Sequence, residues 1–116
     1  MSNTTFQIPA TEAHKRDCLA RYYLDNKSRE EIKQWLEKLT AAEYREDMRQ
    51  RFNQQRARLK YCRAELVKAD QVTWHWLTDR WTLRELKHCM KCAPLDAHGQ
   101  TALKMIIDRK EQEQNP

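Results

Sequence analysis

The chain has 116 residues, of which 34% are charged and 40% apolar, with one glycine, three prolines and a net charge of +5. That is too apolar for a disordered chain, too poor in turn residues for a many-stranded sheet, and of a length suited to one hydrophobic core. The single glycine, Gly99, cannot build the glycine-rich loops that cradle phosphates, so P-loop and dinucleotide-binding readings are excluded.

The first periodic segment spans residues 11–24. Thr11 is placed to cap a helix, Glu12 suits its N-terminal dipole, and Cys18, Leu19, Tyr22 and Tyr23 recur at helical spacing on one side. Ser28-Arg-Glu-Glu31 is a capping box that opens a second helix, with Ile32, Trp35, Leu36 and Leu39 facing a core. Thr40-Ala-Ala-Glu43 repeats that signature, so a third helix follows at once and the chain turns a sharp corner.

The third helix is expected over residues 40–67, unbroken by glycine or proline. At 1.5 Å per residue it is a rod of about 40 Å. Ala41, Tyr44, Met48, Phe52, Leu59, Cys62 and Leu66 share one stripe; Arg45, Arg49, Arg56, Lys60 and Arg63 form a basic ridge beside it, and Arg51 and Arg58 lie on the other shoulder. Residues 40–68 carry 8 basic and 4 acidic side chains, which holds nearly all of the positive excess. Such a segment suits an acidic protein surface or a nucleic acid. Its length also leaves room for pairing with a second copy as a homodimer.

Residues 71–81 place Trp74, Trp76 and Trp81 in one short run, read as a short helix or turn. Trp81 is expected in the core, whereas Trp76 serves core and interface readings equally. Thr82-Leu-Arg-Glu85 is a third capping box, for a helix to Cys92 that Pro94 stops; Asp96 then caps a last helix to Gln112. The expectation is therefore an all-α fold of about five helices, with shorter helices packed on one long central helix. Residues 1–10 read as a flexible N-terminal segment, 11–112 as a single helical domain and 113–116 as a frayed tail.

Apolar residues never run beyond three in a row, so neither a membrane span nor a signal-peptide core can be written, and a cytoplasmic location with four free thiols is expected. His88-Cys89-Met-Lys-Cys92 contains a C-x-x-C. With His14 and Cys18, which sit four residues apart on the first helix, Cys89 and Cys92 define a zinc alternative; the main reading assigns no metal and no cofactor. Scattered histidines and the lack of a glycine-built oxyanion turn argue against an enzyme. The segment from Thr82 to Gln112 also fits a helix-turn-helix, although Asp108 and Glu111 on its second helix disfavour insertion into a DNA groove.

The stretch His14-Lys-Arg-Asp-Cys18-Leu-Ala-Arg21-Tyr22-Tyr-Leu24, followed by a short helix and then Tyr44-Arg-Glu-Asp-Met48-Arg-Gln-Arg-Phe52, resembles a family of small uncharacterised phage and prophage proteins with an H-x-x-x-C-x-A-R-Y-x-L opening. The resemblance covers the first half and departs at Thr40-Ala41-Ala42, where the family has a glycine. It implies a phage origin and assigns no residue a role. Together these observations predict a non-enzymatic accessory protein that binds a host protein or nucleoprotein assembly through Arg45, Arg49, Arg56, Lys60, Arg63 and Trp76. A DNA- or RNA-binding regulator using the same ridge, or the helix-turn-helix, is the alternative.

Overall fold

The computed structural model describes residues 8–115, which form six helices and no strand. They are α1 (Ala10–Asn26), α2 (Arg29–Lys38), α3 (Ala42–Lys68), a four-residue α4 (Trp74–Leu77) entered through a 3-10 turn at Gln71–Thr73, α5 (Leu83–Cys92) and α6 (Ala97–Gln114). No described helix is long and apolar enough to cross a membrane.

Three helix starts follow the local chemistry of their caps. The Ser28 hydroxyl accepts from the Glu31 amide at 3.1 Å while Glu31 accepts from the Ser28 amide at 2.9 Å. Thr82 and Glu85 make the same reciprocal pair at 3.2 and 2.9 Å, and Asp96 accepts from the Gly99 amide at 2.7 Å. Each arrangement satisfies amides that the first helical turn leaves without carbonyl partners.

Two expected caps are displaced. Helix α1 begins at Ala10 behind Pro9, whose carbonyl accepts from Ala13, so Thr11 lies inside the first turn and caps nothing. Helix α3 begins at Ala42, and the first amide bonded to its entry is Arg45 N to the Ala41 carbonyl at 3.0 Å, one residue later than a Thr40 cap requires. The Arg45 guanidinium instead braces this corner by donating to the Leu39 carbonyl at the end of α2, at 2.6 Å. At the C-terminus α6 runs through Gln114, so it includes residues 113 and 114. Residues 1–7 of the expected flexible segment lie outside the described residues.

The chain divides into two compact units at Arg56/Ala57, within α3. Where length alone suggested one core, the described residues hold two buried clusters. In the first unit Ala20 of α1, Ile32 and Leu36 of α2, and Met48 and Phe52 of α3 pack together, flanked by Tyr23, Trp35 and Tyr44. In the second, Cys62 and Leu66 of α3 pack with Trp74, Trp81, Leu86, Cys89, Leu103 and Ile107. The reason is in the α3 stripe: between Phe52 and Leu59 the positions one helical turn on are Gln55 and Arg56, so the apolar seam is interrupted where the units divide.

Candidate functional site

Of the three clustered tryptophans, Trp74 and Trp81 are 3% and 4% exposed, whereas Trp76 is 73% exposed. Helix α4 is a single turn, so its consecutive residues diverge around the axis. Trp74 therefore enters the second-unit core while Trp76 is directed outward, its ring 4.7 Å from that of His75. Trp76 borders a groove of about 580 Å³ that is also lined by Asp79 and, from α6, Ile106, Arg109, Lys110 and Glu113. Lys110 is tied down by donation to the Asp79 carbonyl at 3.0 Å. The groove thus offers an indole face, one aliphatic side chain and the Arg109 guanidinium. Sequence reasoning picked Trp76 but not Ile106 or Arg109; they join it only through packing of elements some thirty residues apart.

The expected basic ridge divides between the units and its members differ in availability. In the first unit, Arg45 is committed to the Leu39 carbonyl and Arg49 pairs with Glu46 on its own helix. Arg56 has no acidic partner among the described residues; its guanidinium lies over the Phe52 ring, 5.7 Å from the centroid. In the second unit, Lys60 is exposed, and Arg63 donates to His88 Nε2 at 2.9 Å. The opposite shoulder, Arg51 and Arg58, is spent on carboxylates. Arg51 donates to Asp47 at 2.8 Å and to Asp17 at 2.7 Å, Arg16 reaches the same Asp47 oxygen at 2.8 Å, and Arg58 pairs with Glu85 at 2.8 Å.

These pairs set the acid response of the molecule. Burial alone would raise the Asp47 pKa, but hydrogen bonds from Arg51 and Arg16 outweigh it and hold the carboxyl below its ordinary value of 3.8. Burial likewise opposes, and the Arg58 and Thr82 hydrogen bonds overcome, the shift that takes Glu85 below 4.5. A carboxylate with a lower pKa folded than unfolded contributes stability that is complete above the unfolded value and is lost as pH falls through the folded one. Stability measured by urea unfolding is therefore expected to decline as pH drops below about 4.5, and Asp47→Asn should flatten part of that decline. An unchanged wild-type midpoint from about pH 6 to about pH 3 contradicts this assignment.

The zinc alternative draws one half of its residues from each unit. His14 Nε2 and Cys18 Sγ do approach to 3.5 Å on the exposed side of α1. Cys89, however, is fully buried in the second-unit core, and burial pushes its thiol up to about 12. No group of three or more His, Cys, Asp or Glu side chains suited to a metal occurs among the described residues. Cys62 is also buried, its thiol pushed up to about 11 by burial. With Cys18 and Cys92 exposed, a thiol reagent such as DTNB is expected to modify two cysteines rapidly in the native protein and the other two only on unfolding. Four equal rates would place Cys62 or Cys89 wrongly.

The helix-turn-helix reading fares little better on geometry. Exposed side chains in the first turns of α6 fold back on the backbone, Gln100 donating to the Leu95 carbonyl at 3.3 Å and Thr101 to the Ala97 carbonyl at 3.0 Å. Further along, Lys104 faces Asp108 at 3.3 Å. This surface carries little net charge toward a phosphate backbone. No protein-family model, curated protein or solved structure matches the chain.

Proposed function

We propose that this chain is a non-enzymatic accessory protein of the phage type that works by binding a host protein, alone or within a nucleoprotein assembly, with Trp76 as its anchor. The observation that carries the reading is the exposure of Trp76 beside a groove, in a run whose two other tryptophans are buried. An indole left in water forgoes the burial free energy its neighbours gain, and aromatic anchors flanked by arginine dominate protein interfaces. Arg109 at the groove matches a partner surface that presents a pocket for the indole and a carboxylate beside it.

The test is capture of partners from a bacterial lysate by the immobilised full chain, with and without nuclease. Wild-type capture is expected to survive nuclease and to vary weakly with salt. Trp76→Ala should weaken it by about 30-fold or more, the size of a central aromatic truncation. Capture that vanishes with nuclease, falls steeply with salt and is lost on Arg49→Glu and Arg56→Glu would instead favour a DNA- or RNA-binding regulator.

A further inference from the structure

The first unit contains a second groove, of about 660 Å³, between α2 and the N-terminal half of α3. Its floor is Ile32 and Leu36, and Arg29, Lys33 and Arg56 stand around it. The α2 residues fall at positions i, i+3, i+4 and i+7, so one helix face alternates cationic and aliphatic side chains along its length.

Arg56 is the unusual member. The other part-buried arginines of this unit are satisfied: Arg16 by Glu12 and Asp47, Arg51 by Asp47 and Asp17, Arg45 by a carbonyl. Arg56 has no carboxylate or carbonyl partner among the described residues, and its position over the Phe52 ring holds the guanidinium in place. Burial and the like charge of Arg29 both weaken its hold on its proton, so the free chain keeps two mutually repelling guanidinium groups at one groove. An anion seated there relieves both costs.

We propose that this groove binds an acidic segment of a partner protein that lays an aliphatic side chain on Ile32 and Leu36 and presents carboxylates to Arg29, Lys33 and Arg56. Nucleic acid fits less well. Glu30 and Glu37 also line the groove and repel a continuous polyanion, and an aliphatic floor gives a phosphodiester backbone nothing to contact. Separated carboxylates with an aliphatic residue between them match both the cations and the floor. This groove lies within the first unit and does not involve Trp76.

The experiment titrates the full-length chain, carrying labelled methyl groups, with three probes: a short peptide of repeating Glu-Glu-Leu, the same peptide with serine for leucine, and an oligothymidylate of matched charge. The leucine peptide is expected to bind with shifts at the Ile32 and Leu36 methyls. Serine for leucine, or the double substitution Arg29→Glu/Lys33→Glu, should weaken it about tenfold. Both substituted side chains are exposed, and far-UV circular dichroism of the variant should match wild type. Trp76→Ala should leave this binding unchanged, which separates it from the partner capture above. Equal binding of the serine peptide, equal or tighter binding of the oligothymidylate, loss of binding in Trp76→Ala, or no shift at Ile32 and Leu36 each overturns the proposal.

Discussion

Phe52→Ala is expected to destabilise the protein by about 3–5 kcal/mol, the range for removing a fully buried phenylalanine. Phe52 has no accessible surface and sits where α1, α2 and α3 supply the first-unit core. Its ring centroid is 6.4 Å from Tyr23 in a stacked arrangement and 6.2 Å from Trp35 edge-on, and Tyr23 and Trp35 meet each other at 4.8 Å. Deleting the ring removes a contact from each of these aromatics and leaves a void that the surrounding helices cannot fill. Phe52→Leu keeps most of the volume and gives up the ring contacts, for a smaller cost of about 1–2 kcal/mol. Chemical unfolding followed by circular dichroism reads both. If alanine costs no more than leucine, Phe52 does not hold this core together.

Trp74→Ala should cost the second unit about as much, about 3–5 kcal/mol, but for a compound reason. Trp74 is packed in the core, and its indole nitrogen also donates to the Leu66 carbonyl at 3.1 Å and the Ala69 carbonyl at 3.3 Å. The last carbonyls of a helix lack intrahelical amides, so the indole terminates α3 as well as filling the space beside it. Its ring also lies beside Gly99: a Cβ at that position would meet Trp74 Cη2 in ordinary contact at 3.4 Å and would crowd the Asp96 cap oxygen and Leu95 Cβ, at 3.2 and 3.3 Å. Trp74→Phe separates the two roles, since it retains apolar bulk and leaves the carbonyls without their donor. A loss of about 1–3 kcal/mol is expected for it. A neutral Trp74→Phe would show that the indole hydrogen bonds are dispensable.

The interfaces proposed for the two units use different residues and different physics. At Trp76 a large apolar surface is already exposed, and a partner gains by covering it. At the α2–α3 groove the lining carries more cations than carboxylates, and a partner gains by supplying anions. Salt should therefore weaken the second contact far more than the first.

Helix type, order and most boundaries were legible from the residues in sequence, because the interactions that set them span only three or four positions. Ser28 with Glu31, Thr82 with Glu85, and Asp96 with Gly99 are such interactions, and each caps the helix its spacing implies. The interruption of the α3 stripe at Gln55 and Arg56 was equally visible, yet its meaning, two clusters in place of one, was not. The fate of each arginine was hidden altogether. Arg16 meets Asp47, Arg51 meets Asp17 and Arg58 meets Glu85 across 31, 34 and 27 residues. Helical periodicity sets Arg56 on one side of the α3 seam and Arg51 and Arg58 on the other, and says nothing of which of them meets a carboxylate. Packing of distant helices brings a carboxylate to some and, among the described residues, none to Arg56, because a charge interacts with whatever lies within a few ångströms in space, and spacing along one helix says nothing about what another helix carries there.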